Sequence, residues 1–284
     1  MSVSQTEKAK RFRALHVGPK AFIIPNPWDA GSARLLASLG FQALATTSAG
    51  FAFSLGRRDG QVTREEALAH CRAIVEAADL PVAADLENCF GDDPKTVAET
   101  IRLAAETGIA GGSVEDVDTR GRIYEFGHAV DRVAAAVESA RALPFPFTLT
   151  ARAENFLHGH EDLDDTIRRL QAFAEAGADV LYAPGLTSLD AIKKVCVAVE
   201  PNPVNVLAGI KGQNFPLAEL EAAGARRLSV GGALARAALG ALMSAGREMK
   251  EKGTFGFVDD AAPSAEVNGI MTDRRREAGK PGNG

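Results

Sequence analysis

ETGIAGGSVED, residues 106–116, reads as a helix end, a glycine stop, a short link and an apolar strand closing on two carboxylates. The same punctuation returns in SLGFQAL (38–44), EAGADVL (175–181) and AAGARRL (222–228). Each marks one β/α step. Eight short runs of small and β-branched residues carry the pattern: AFIIPN (21–26), ALATTS (43–48), PVAADLE (81–87), GGSVED (111–116), FTLTARAE (147–154), VLYAPG (180–185), VNVLAG (204–209) and RLSVGG (227–232). They lack polar alternation, so both faces of each strand are covered, as in a parallel sheet. Eight such units predict a closed (β/α)8 TIM-type barrel of the α/β class and not an open doubly wound sheet.

Helical periodicity fills the intervals. One helix is framed by Asp29 and Gly40, and another starts at Thr63 with Glu66 three residues on, a capping box. Residues 1–18 predict a helix ahead of the first strand. The barrel domain is expected over 1–252. Residues 253–284 are expected to form a C-terminal extension that packs or swaps onto a neighbouring subunit, with a partly disordered Gly/Pro-rich end.

Composition limits the partners. Of 284 residues, 46% are hydrophobic and 24% charged, and the net charge of -5 comes without a long basic block, so nucleic acid is not expected as a partner. No apolar run approaches the roughly 20 residues of a membrane helix, so no membrane partner is expected. Three scattered cysteines, Cys71, Cys89 and Cys196, and a polar N-terminus suit a cytoplasmic protein.

In a barrel the active site forms at the C-terminal strand ends. There the chain places Asn26, Thr46–Ser48, Asp85 with Glu87 and Asn88, Glu115 with Asp116, and Arg152 with Glu154 and Asn155. Carboxylates on three neighbouring strands, without His or Cys at the same depth, suit Mg2+ better than Zn2+. Asp85, Glu87, Glu115, Asp116 and Glu154 are the carboxylates from which such an ion, or Mn2+ in its place, could draw one or two direct ligands and holders of its waters. Arg152 could grip a substrate carboxylate or phosphonate with its planar fork. SVGGAL (229–234) offers a second reading, a phosphate cradle at a helix N-terminus. The altered strand 3 leaves a third, a binding protein with a degenerate site.

The strand ends resemble those of the isocitrate lyase/phosphoenolpyruvate mutase superfamily over roughly residues 20–240. NPWDAGSARLLASLGFQALATTSAGFAFSLGRRDG (26–60) is similar to its opening, PVAADLENCFGD (81–92) to its D-x-D-x-G-x-G strand, GIAGGSVEDV (108–117) to its G-x-x-G-x-x-x-E-D segment, and LTARAENF (149–156) to its ARxxAF-type strand. The resemblance implies a Mg2+-dependent lyase making or breaking a C–C bond in a small 2-oxo or 2-hydroxy acid through an enolate. P–C chemistry, as in a mutase or phosphonopyruvate hydrolase, is the alternative it carries. It implies a homo-oligomer, dimer or tetramer. Residue by residue, it makes Asp85 the metal ligand, Glu87 the counterpart of a second Asp, Glu115 a holder of the metal's water and a catalytic group, and Arg152 the catalytic substrate-binding arginine. Thr47 and Ser48 match the turn that binds the oxo group, and Asp59 matches a gating-loop residue acting as base or nucleophile. A loop around 115–127 would close over them. The chain departs from the lyase pattern there: EDVDTRGRIYEFGHAV (115–130) lacks the K-x-C-G-H cysteine, and Asn88-Cys89-Phe90 replaces a usual Thr-Gly-Tyr.

Overall fold

The protein is seen in a computed structural model that describes residues 3–210 and 215–272. Eight parallel strands form one sheet: β1 (Phe22–Ile24), β2 (Leu44–Ala45), β3 (Val82–Asp85), β4 (Gly111–Glu115), β5 (Thr148–Arg152), β6 (Val180–Tyr182), β7 (Val204–Leu207) and β8 (Arg227–Ser229). The ladder runs β1-β8-β7-β6-β5-β4-β3-β2. The last seam, between β1 and β2, is closed by the bond from Ala45 N–H to the Pro25 carbonyl (3.0 Å) and by Asn26. The Asn26 amide donates to the Thr46 carbonyl (3.0 Å) and accepts from the amides of Val230 (2.9 Å) and Gly231 (3.0 Å), so one side chain ties three strand ends together. The expected (β/α)8 barrel is the observed fold.

The helices follow their caps. Asp29 and Ser32 close a capping box on α2 (Ala30–Ser38), and Thr63 and Glu66 do so on α4 (Arg64–Ala77). Asp93 caps α5 (Pro94–Ala105), which begins with proline, as a first turn tolerates. The helix α6 (Phe126–Arg141) follows β4, and α7 (Leu163–Glu175) follows β5. A short helix, α3 (Ser48–Ser54), follows β2 with Thr47 as its cap. The shell is completed by α8 (Leu189–Ala198) and α9 (Leu217–Ala222).

The predicted N-terminal helix is α1 (Gln5–Val17), and it plugs the bottom of the barrel. Its Ala9 and Phe12, both fully buried, pack on Phe22, Ile24, Ala43, Ala83 and Ala110. Burying Phe12 contributes about 1.5–3 kcal/mol. Above that plug the interior is polar. Arg227 is buried at the start of β8, donating to Asn205 (2.9 Å) and Thr150 (3.0 Å). Its third contact is His16 Nε2 at 3.3 Å, while His16 Nδ1 lies 2.8 Å from the Phe12 carbonyl. That pairing requires a neutral ring with its proton on Nδ1. After β8 come α10 (Ala233–Lys252) and α11 (Ser264–Met271); α11 packs against α2 of the same chain, and Arg34 donates to the Met271 carbonyl (2.6 Å). The Gly/Pro-rich end expected to be disordered, 273–284, lies outside the described residues.

His16 sets a pH dependence. Burial, then the Arg227 charge, push its pKa from 6.5 down to about 3. Below about pH 6.5 the unfolded chain takes up a proton that the folded chain refuses, so stability falls as the pH drops toward 3. The slope is up to about 1.4 kcal/mol per pH unit. Urea denaturation between pH 7 and 5 is expected to show this loss, and His16→Gln to flatten it. An equal slope in both proteins would contradict the assignment.

Candidate active site

Register brings the site together. Glu115 pairs with Arg152 across β4 and β5, and Arg152 with Tyr182 across β5 and β6. The Arg152 guanidinium lies 3.2 Å from Asp85, 2.9 Å from Glu115 and 2.6 Å from Glu154, and it covers the Tyr182 ring at 4.9 Å. Arg152 is therefore the hub of three carboxylates from three strands. Its pKa is raised well above the usual value, since these negative charges outweigh the cost of burial.

Asp85 is fixed on its other side. Its second oxygen accepts the Ser48 amide (3.0 Å), and its own amide donates to Thr46 Oγ1 (2.9 Å). Ser48 and Thr47 thus lie beside Asp85 at the end of β2; the Ser48 amide is turned to Asp85, and Thr47 caps α3 by accepting the Gly50 amide (3.3 Å). Asp59, on the exposed turn after α3, leans toward this group. Partial burial, then repulsion from Asp85, raise its pKa, against a hydrogen bond from Ser48.

Glu87 occupies an unusual backbone. Its φ is 50°, and Cys89 and Phe90 both have φ 61°. Non-glycine residues held there cost on the order of 1–3 kcal/mol each. Arg132, buried on α6, fastens the segment by donating to the carbonyls of Asn88 (2.6 Å), Gly91 (2.6 Å) and Asp92 (2.7 Å). Its guanidinium covers the Tyr124 ring at 4.4 Å, and the Tyr124 hydroxyl donates to Asp92 (2.5 Å). The clamp aims Glu87 into the site. Burial, then the charges of Asp85 and Asp59, push Glu87 up to about 8. Glu115 is also raised well above its usual value, by burial first and then by Glu154, Asp85 and Glu87, against the pull of Arg152.

The donor set is all oxygen, and its negative charge exceeds the one guanidinium that faces it. Such a set fits a small, hard divalent cation that keeps most of its waters. Among the described residues no three His, Cys, Asp or Glu form a ready-made cage.

Two cavities meet here. The inner one, about 60 Å³, runs down the barrel past Asp85, Arg152 and Tyr182 to Arg227. The outer one, about 270 Å³, opens in front of Ser48, Asp59, Glu87 and Glu115. The 115–127 segment folds over it as a tight turn, with Val117 bridged to Ile123 and Asp118 accepting the amides of Arg120 and Arg122.

Sequence reading named Glu154 only as a strand end. It is a site residue, and its signal was the i, i+2 spacing from Arg152 that puts both on one face. His158, which reads as a solvated loop residue, borders the outer cavity beside Gly121. Cys89 is fully buried and burial pushes its thiol up to about 12, so it is not a nucleophile. Two amides that could cradle a phosphate in SVGGAL, those of Val230 and Gly231, are already taken by Asn26.

Residues 12–250 match the phosphoenolpyruvate phosphomutase family, and the chain belongs to it. It is 30% identical to the 2,3-dimethylmalate lyase of Eubacterium barkeri over 93% of both chains. It is 32% identical to the 2-methylisocitrate lyase of Escherichia coli (strain K12), over 71% of this chain and 69% of that protein. A crystal structure of a provisionally assigned lyase/mutase from Burkholderia cenocepacia J2315 shares 59% identity and a TM-score of 0.93, covering 95% of this chain and 97% of that one.

Arg132→Met keeps the bulk of the clamp and removes its donors. It is expected to cost about 3 kcal/mol in denaturant unfolding, because buried carbonyls are left without partners. Unchanged stability would show that other contacts hold the 87–92 segment.

Proposed function

We propose that the chain is a Mg2+-dependent lyase that breaks or forms a C–C bond in a small 2-oxo or 2-hydroxy acid through an enolate. The observation that carries this reading is the surplus of buried oxygen donors converging on Arg152. Asp85 would hold Mg2+, or Mn2+ in its place, directly, with Glu87 and Glu115 holding its waters. Bound there, the ion supplies positive charge to the oxygen on which negative charge develops.

The chain's own groups do the rest. Arg152 orients the substrate carboxylate, and its three carboxylate partners keep the fork from turning. Ser48 and Thr47 border the place of the oxo group. Asp59, with its pKa raised by partial burial and by Asp85, is poised to take a proton from the substrate. With no cysteine in the 115–127 turn, proton transfer falls to these carboxyl groups.

A second copy of the chain covers α10. Along that helix only Ala235 is buried, while Leu239, Leu242, Met243 and Met249 are exposed, with Phe255 and Val258 beyond them. Such a face suits a homodimer or tetramer. Three buried free thiols suit the reducing cytoplasm, and among the described residues no helix is long and apolar enough to cross a membrane.

Oxaloacetate, phosphonopyruvate, 2-methylisocitrate and alkylmalates, assayed with Mg2+ for pyruvate or glyoxylate release, test the activity. Turnover of phosphonopyruvate alone would replace C–C by P–C chemistry. Asp85→Ala and Arg152→Ala are each expected to lower kcat/KM by about 10²–10³-fold with unchanged circular dichroism. A full Mg2+-dependent rate in Asp85→Ala would sink the metal assignment.

Light scattering is expected to give a dimer or tetramer, and Leu242→Glu with Met243→Glu to lower its mass. A wild-type monomer would refute the assignment of α10.

A further inference from the structure

Two guanidinium groups line the inner cavity, and they are treated differently. Arg152 meets three carboxylates. Arg227 meets none among the described residues. It is 6% exposed, and its partners are neutral: the Asn205 amide oxygen at 2.9 Å, the Thr150 hydroxyl at 3.0 Å and His16 Nε2 at 3.3 Å. The undescribed stretch 211–214 reads KGQN and holds no acid. Burial lowers the Arg227 pKa from 12.5 to about 10, Arg152 pushes it the same way, and only Tyr182 opposes. The group is therefore charged at neutral pH, inside the barrel, with a second cation above it.

Asp85 does not relieve that charge. It is the one carboxylate on the wall of the inner cavity, and its two oxygens are held by Arg152 at 3.2 Å and by the Ser48 amide at 3.0 Å. His16 turns a neutral nitrogen to Arg227, which satisfies a donor and cancels nothing. A buried charge without a partner is costly. Water in the cavity would solvate the remaining N–H groups and leave the charge in place.

We propose that the deep end of the inner cavity holds one small monovalent inorganic anion, of chloride size, against Arg227. The cavity offers about 60 Å³, and one water needs about 10–15 Å³, so a halide fits and a large organic anion does not. Its wall sets the hydroxyls of Thr46, Ser113 and Thr150 among Ile24, Ala83 and Ala84. Hydroxyls can rotate to donate to an anion. The apolar part of the wall favours chloride or bromide over fluoride, which gives up its water less readily. One negative charge is enough, because Arg152 is already covered. The site lies below the carboxylate cluster and does not depend on the lyase reading.

Bromide serves as the probe. Crystals of the full-length protein grown in sodium bromide are expected to show one anomalous peak in the inner cavity beside Arg227, absent in Arg227→Met. In solution, replacing sodium gluconate by sodium chloride at fixed ionic strength is expected to raise the thermal midpoint by about 2–4 °C once the ion is in excess. Gluconate is too large for the cavity. Arg227→Met is expected to lose this response and Arg227→Lys, which keeps the charge, to retain part of it. Equal midpoints of the unmodified protein in the two salts, or bromide only at the surface as an adventitious ion only, would overturn the proposal. Loss of the inner peak on adding Mg2+ and oxalate would overturn it too, by making Arg227 part of the substrate's own site. A peak that persists with oxalate bound supports a resident ion.

Discussion

One buried guanidinium organises the open end of the barrel. Arg152 is shared among Asp85, Glu115 and Glu154, and each of these is delivered by a different strand or strand extension. Left without that charge, the acids would repel one another and take up protons. With it, they stay converged, yet one positive charge cannot neutralise them. Burial first, and then the charge left over, raise the pKa values of Glu87, Glu115 and Asp59. A buried ion pair is weak evidence for stability, since desolvation offsets much of its attraction. Here the cluster is better understood as binding capacity, maintained at the expense of a quieter core.

That capacity depends on a backbone that the sequence makes difficult. The resemblance predicts glycine where this chain has Cys89, and the structure keeps the left-handed conformation regardless, with φ 61°. Three neighbours compensate. Arg132 gathers the carbonyls of the segment, Asn88 accepts the Phe90 amide at 3.0 Å, and Thr100 donates to the Cys89 carbonyl at 2.9 Å. Strain near a site is informative when it is over-determined in this way. The segment has little freedom to let Glu87 swing out, so the position of that carboxylate is set by α6 and not by its own strand.

The parts of the molecule legible in the sequence are those with local causes. Strands without polar alternation, glycine after each helix and capping residues at its start are short-range signals, and they sufficed for all eight strands. Strand-end chemistry followed, because a parallel barrel fixes which ends meet. The unread parts have distant causes. α3 is seven residues long with Gly50 inside it, too short for periodicity to show. Arg132 acts on residues 40 to 44 positions away, and Arg227 reaches His16 across 211. Asn26 looked like an ordinary strand end, and only the closed ring shows it joining β1, β2 and β8. Residue type alone does not announce such partners.

The two cavities divide the barrel mouth by charge, and this fixes the direction in which a substrate can lie. The floor is cationic, with Arg152 above and Arg227 below it, both buried and both facing the inner cavity. The outer wall is acidic. On the proposed function, an oxo acid would enter carboxylate first, with its reacting carbons at the boundary, beside Asp85 and Ser48. Reversal would set the substrate's carboxylate against the acids of the outer wall, away from Arg152 and Arg227. The gradient that admits the substrate is thus the one that orients it, and both come from the same choice of acidic residues at the ends of β3, β4 and β5 with arginines inside β5 and β8.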